Sequence, residues 1–244
     1  MRQSNAYVLI FTAIMTIVIG GALSVTNQAL RPAQLKSIEL DTKTQILAAV
    51  IQLQKGDDVL SLYSSSINGL VVDFEGNEIT TDQKGNPIVA EEVNVLRNFK
   101  KSSEESEFPV YKFRDESGDL LAYIFPVYGN GLWNNIYGYI ALEPDLNTIK
   151  GVSYGHVGET PGLGARISDA DVQGRYVGKT IFDENGKLVS VTMVKRESGK
   201  DYGPHQVDGM SGATLTANGV NAMLLNYLSD YEAYILKEKS REAI

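Results

Sequence analysis

The chain has 244 residues, is 43% hydrophobic and carries a formal net charge of -8, which suits one ordinary domain with room for an accessory segment. An acidic balance argues against nucleic acid as a partner, because phosphate binding requires a basic face. There is no cysteine, which excludes disulfides, thiolate zinc sites, cysteine-ligated iron–sulfur clusters and a cysteine nucleophile.

In chain order, the first feature is apolar. No charged side chain occurs from Gln3 to Leu30, and Tyr7 to Val25 is long enough to cross about 30 Å of hydrocarbon as a helix. A cleaved signal peptide is the competing reading. The run is long for one, and no clear cleavage site follows. The positive charges that flank it, Arg2 on one side and Arg31 and Lys36 on the other, are nearly balanced. The expected topology has the N-terminus inside and the C-terminal bulk outside the cytoplasm.

Pro32 is expected to break the helix after the span. Ile38, Leu40, Ile46, Leu47, Val50, Ile51 and Leu53 then recur at roughly helical spacing, predicting a membrane-proximal helix that ends near Lys55-Gly56. A short strand over Leu70 to Phe74 is followed by a turn at "EGNEI". Glu91 to Glu107 reads as a solvated loop or helix.

Runs rich in Tyr, Ile, Val and Phe predict strands over Val110–Phe113, Leu120–Tyr128, Ile136–Leu142 and Ile149–His156. The short turns between them favour antiparallel pairing. A glycine-rich stretch, "GHVGETPGLGARI", follows over Gly155 to Ile167, and Gly186 to Arg196 reads as one more strand. A final helix presents Val220, Met223, Leu224, Tyr227, Leu228 and Tyr231 on one face. The fold class is α+β: a single N-terminal transmembrane helix and a domain with a mainly antiparallel sheet and flanking helices. The expected division is an anchor over 1–30, a membrane-proximal helix over 31–56 and a domain over 57–244.

Common site motifs fail here. Gly129-Asn130-Gly131 and Gly162-Leu163-Gly164 both begin a dinucleotide fingerprint, but Asn134 and Ile167 stand where its last glycine belongs. His156 and His205 are too few for a histidine-rich metal site, and no metal or catalytic residue is assigned. "GMSGA", Gly209 to Ala213, is one residue short of a nucleophile elbow at Ser211. The preceding "KDYGPHQVD" is not an apolar strand, and both histidines precede the serine. "SGAT", Ser211 to Thr214, lies just before the last helix, where backbone N–H groups favour an anion and small residues leave room for it. Ser211 or Thr216 acting only as a helix cap is the plainer alternative.

"SGAT" within "VDGMSGATLTANGV" and "ETPGLG" at Glu159 to Gly164 resemble the FMN-binding domain family, and "GNGLWNNIYGYIAL" extends the likeness. The resemblance is specific over about Leu120 to Tyr227 and at the anchor, and places the flavin site within 120–230. Over the whole chain it is to the NqrC family of Na+-translocating NADH:quinone oxidoreductases, more than to the sister RnfG family of Rnf complexes. It implies FMN bound covalently by phosphoester to Thr214, with Ser211, Gly212 and Ala213 around it, attached by a separate flavin transferase that takes FMN from FAD and leaves AMP. It implies a one-electron relay, not catalytic alone, in a membrane complex whose other members carry NADH oxidation and quinone reduction, coupled to sodium transport. It places the FMN domain on the periplasmic side of a bacterial inner membrane. Glu159, Thr160, Gly162, Leu163 and Gly164 are expected to contact the flavin, with Glu159 on the ribityl hydroxyls and Leu163 over a ring face. Trp133 is expected to stack near the ring edge or else to pack in the core. No Lys or Arg is expected near the phosphate. The other readings are an RnfG-like member of an ion-translocating ferredoxin:NAD oxidoreductase complex and a membrane-anchored flavoprotein reductase component.

Overall fold

The structure is a computed structural model that describes residues 4–82, 84–195 and 202–242. It separates into two compact units, Met1–Thr42 and Lys43–Ile244. The first is helical. α1 spans Asn5–Ala48, 44 residues, and contains an apolar stretch long enough to cross a membrane. Within that stretch the Thr12, Thr16 and Thr26 hydroxyls donate to the carbonyls of Val8, Thr12 and Ala22 at 2.8, 2.8 and 2.9 Å. Apolar surroundings would otherwise leave these hydroxyls unpaired.

Two expectations for this region are corrected. The helix runs through Pro32 without interruption, and it ends at Ala48 rather than near Gly56. Proline removes one N–H and disfavours the turn before it, but the good helix formers on both sides carry the helix across. At the other end, Val50 and Ile51 bond back to Leu47 and leave the helical path.

In the second unit, α2 (Val59–Ser66) starts at Asp58, whose side chain accepts from the Ser61 N–H at 3.2 Å. β1 (Ile67–Val72) and the two-residue β2 (Glu78–Ile79) follow. The charged stretch after them is three short helical turns: 3-10 turns over Ala90–Glu92 and Ser103–Glu105, and α3 (Val95–Asn98) between them. Then come β3 (Phe108–Arg114), β4 (Leu120–Asn130), β5 (Asn135–Leu142) and β6 (Ile149–His156). All six strands form one antiparallel sheet in the order β2-β1-β3-β4-β5-β6. Gly118, at φ 88°, closes the β3–β4 hairpin in a left-handed conformation that side chains avoid. Pro126 is tolerated in mid-strand because β3 pairs with β4 only as far as Ile124.

Beyond β6 lie a 3-10 turn over Gly164–Ser168, α4 (Ala170–Gln173) and a second 3-10 turn over Gly174–Tyr176. β7 (Thr192–Val194) and β8 (Gln206–Asp208) make a separate parallel pair, and α5 (Thr214–Glu242) follows. The strand expected over Gly186 to Arg196 is thus only three residues long. Ser190 adopts φ 59°, and Val189 and Ser190 both donate to Ile181, which interrupts the run. Arg196 lies outside the described residues.

The main sheet is buried on both faces. Phe108, Val110, Tyr123, Phe125, Val127, Ile136 and Ile140 face the same core as α5. Residues of the opposite parity, Tyr111, Phe113, Ala122, Ile124 and Ala141, pack with Ile46, Leu47 and Tyr63. Tyr231 of α5 contacts Phe125 and Phe108 at centroid distances of 4.9 and 5.4 Å, and its hydroxyl donates to the Pro109 carbonyl at 2.8 Å. We expect Phe125→Ala to destabilise the protein by about 3–5 kcal/mol, and Leu225→Ala on the exposed side of α5 by less than about 0.5 kcal/mol. Urea unfolding of the detergent-solubilised chain, followed by circular dichroism, measures both.

Candidate functional site

α5 begins abruptly. The Ala217 N–H bonds the Ala213 carbonyl at 2.9 Å, which places Ala213 in the capping position. Its methyl group has no oxygen to accept the N–H groups of the first turn, so these keep their capacity for an external acceptor. Gly212, just before, sits at φ 75°. A side chain there would be strained by the backbone and would meet Leu163 Cδ2 at 3.0 Å. "SGAT" and "ETPGLG", well separated along the chain, therefore meet at Gly212 and Leu163.

A cavity of about 480 Å³ opens at this helix start. Its walls are Met193, Val194 and Lys195 at the end of β7, Gly209 to Gly212, and Thr214, Ala217 and Asn218 of α5. Such a volume lies within the range of small-ligand sites. Thr214 is exposed at its mouth, while Ala213 is buried behind it. Lys195 corrects the expectation of no nearby cation: the sequence segment has none, but β7 delivers one.

The turn leading to Thr214 is held from beneath. Arg175 donates to the carbonyls of Asp208 and Gly209, both at 3.0 Å, and is itself fixed by Asp171 at 2.7 Å. Gly209 passes so close to the Val194 carbonyl that a Cβ would collide with it.

Glu159 is held by protein donors. It is 4% exposed, and its Oε1 accepts the Trp133 N–H at 2.9 Å while Oε2 accepts the Thr216 hydroxyl at 2.6 Å. With both oxygens accepting from protein donors, this carboxylate braces loops. Thr216, expected as a cap, is 1% exposed and donates its hydroxyl to Glu159. Burial alone would raise the Glu159 pKa. Hydrogen bonds from Thr216 and from the backbone of Trp133, Asn134 and Leu132 outweigh it and hold the carboxyl below its ordinary value.

Of the remaining expected residues, Trp133 is 70% exposed, so the core-packing alternative is excluded, and its backbone rather than its ring is anchored. The Thr160 carbonyl accepts from Leu163 and Ala165 at 3.1 and 3.2 Å, which folds the loop on itself. Gly162 adopts φ 76°, and Gly164 is buried against the Glu159–Thr216 contact. None of Glu159, Thr160, Gly162, Gly164 and Trp133 lines the cavity; Ser211, Gly212 and Thr214 do. Sequence reasoning missed Lys195, Arg175 and the Thr216 bond. Only Thr216 had a local signal, a hydroxyl on the inner face of a predicted helix.

The nucleophile-elbow reading at Ser211 finds no histidine lining this cavity. His156 Nδ1 accepts the Glu159 N–H at 3.3 Å, and His205 Nδ1 lies 2.8 Å from the Thr180 carbonyl.

Residues 131–229 match the FMN-binding domain family. The Na(+)-translocating NADH-quinone reductase C subunit of Neisseria meningitidis serogroup B is 32% identical over 250 residues, covering 97% of this chain and 93% of the relative. That of Pseudomonas aeruginosa is 29% identical over 258 residues, covering 99% of each. Among solved structures, the corresponding C subunit from Parabacteroides distasonis superposes with a TM-score of 0.73 at 33% identity, over 84% of this chain and 96% of that one. NqrC of Shewanella oneidensis gives 0.69 at 27% identity, over 83% and 98%.

The depressed pKa of Glu159 predicts a pH dependence. Its charged-state stabilisation is complete above the unfolded value, near 4.5, and is lost as pH falls through the lower folded value. Glu159→Gln should destabilise the protein by about 1–3 kcal/mol at neutral pH, and the gap from the parent should narrow as pH falls below that unfolded value. Denaturant unfolding under both conditions checks the sign.

Proposed function

This chain belongs to the NqrC family of the Na(+)-translocating NADH-quinone reductase, and we propose that Thr214 holds its FMN covalently through Oγ1. The protein is a membrane-anchored flavoprotein that relays electrons through FMN within that complex, with the other subunits as partners. The redox chemistry belongs to the flavin; the chain supplies attachment, position and surroundings.

The observation that carries the attachment is the exposed Thr214 at a helix start with Ala213 in the capping position, on the wall of a ligand-sized cavity. The residues present suit a phosphoester. First-turn N–H groups and the helix dipole favour its negative charge, and Lys195 stands on the cavity wall formed by β7. Gly212 leaves the approach clear. Leu163 flanks it, exposed, and offers an apolar surface to a ring.

A threonine hydroxyl needs a base to act as a nucleophile, and neither histidine lies in this cavity. A separate transferase therefore fits as the catalyst. The Thr214 hydroxyl gives up its proton, its Oγ1 bonds the phosphorus of the FMN half of FAD, and AMP departs with the electrons of the broken anhydride bond. Asp208 and Ser211, near the acceptor in sequence, belong to the surface that such an enzyme must approach. In the favoured topology the domain over 57–244 lies on the periplasmic side, with 1–30 as anchor and 31–56 next to the membrane.

Expression with a flavin transferase should give an FMN adduct on the "SGAT" peptide by mass spectrometry, assigned to Thr214 and not Thr216. Thr214→Val should abolish it, and Thr214→Ser should retain an acceptor hydroxyl and some label. Covalent flavin persisting in Thr214→Val would refute the assignment. For topology, a periplasm-active reporter fused to the C-terminus should be active and a cytoplasm-active one silent.

A further inference from the structure

We propose that the Glu159–Thr216 hydrogen bond is a positioning device for the flavin, setting where Trp133 and Leu163 stand relative to Thr214. This rests on the assignment of FMN to Thr214. Glu159 does not line the cavity, and neither does Thr216, so both act through others.

The geometry has three parts. Glu159 opens the "ETPGLG" loop, Trp133 lies at the tip of the β4–β5 hairpin, and Thr216 is in the first turn of α5, just beyond Thr214. One buried carboxylate joins all three, with Trp133 N–H at 2.9 Å and Thr216 Oγ1 at 2.6 Å. Two glycines close around it. A Cβ at Gly131 would fall on Glu159 Oε1, and one at Gly164 would fall on Oε2 and on the Thr216 hydroxyl. The hairpin tip is also pressed onto α5, where Gly219 passes against the Asn130 carbonyl. The junction therefore has no slack: a shift of any one loop leaves a buried charge short of a donor.

What the junction displays is the second observation. Trp133 has its backbone fixed by the carboxylate while its ring is exposed. Leu163, in the loop that Glu159 opens, is likewise exposed and rests at Gly212. Large exposed apolar side chains on braced backbones, Leu163 beside Gly212 of the cavity wall and Trp133 on the hairpin tip joined to α5 through Glu159, suit a planar aromatic group held by a tether at Thr214. The clamp converts three independent loops into one preformed frame.

Trp133 is the sole tryptophan, which makes the idea measurable in the full chain in detergent. Thr216→Val removes the hydroxyl at nearly constant volume, and Thr216→Ser keeps it. Without flavin, on a Thr214→Val background, hydrogen exchange at the Trp133 amide should quicken on the order of tenfold in Thr216→Val and return toward the parent rate in Thr216→Ser. With flavin attached, Thr216→Val should lose part of the quenching of Trp133 emission and of the visible circular dichroism of the flavin, and Thr216→Ser should restore both. If Thr216→Val fails to fold, Glu159→Gln supplies the same comparison. Unchanged flavin spectra in a folded variant, or equal losses in the Val and Ser variants, would overturn the proposal. Absence of flavin from the unsubstituted protein made with the transferase refutes the Thr214 assignment instead, a result visible before any variant is made.

Discussion

A charged carboxylate taken out of water must be surrounded by donors, and Glu159 collects them from separate parts of the chain. That requirement ties the β4–β5 hairpin tip, the loop after β6 and the first turn of α5 to one point. It also dictates composition nearby, because Gly131 and Gly164 have no space for a side chain beside the carboxylate. The loops that carry the site are thus held by a buried ion and its hydrogen bonds, while the sheet supplies the rigid base beneath them.

α5 does two jobs with opposite ends of its physics. Along its length, Val220, Met223, Leu224, Leu228 and Tyr231 are buried in the main core and fix the helix against the sheet. At its start, the first-turn backbone N–H groups and small residues are the features on which the proposed phosphate attachment rests. The rigid packing of the first part gives the second a defined position. Arg175 completes the arrangement by holding the carbonyls of Asp208 and Gly209, so the approach to Thr214 is fixed on both sides.

Where periodic burial decides structure, the sequence is easily read. The strands over Leu120–Tyr128, Ile136–Leu142 and Ile149–His156 form close to their expected bounds, because they lie in a sheet buried on both faces and are dense in β-branched and aromatic residues. The exposed stretch near Gly186 is harder. There the backbone turns at Ser190, and β7 finds its partner β8 in parallel, a pairing set by distant contacts. Pro32 misleads for a related reason: the rule concerns a local penalty, and a 44-residue helix has enough favourable neighbours to outweigh it. α2 passed unread because eight residues, half of them serine, carry almost no periodic signal.

Around Thr214, the small residues before it, the glycine loop and the helix that follows were legible in the sequence, since each is written in contiguous residues. The sequence by itself also determined the apolar anchor, through length and the lack of charge. Tertiary structure alone decided that Glu159 faces inward to Thr216 and Trp133, that Lys195 joins the cavity, and that Trp133 shows its ring to solvent. The physical reason is the same in each case. A carboxylate, an ammonium and an indole can all serve either ligand or protein, and the choice depends on which donors, acceptors and neighbours the fold brings within about 3 Å.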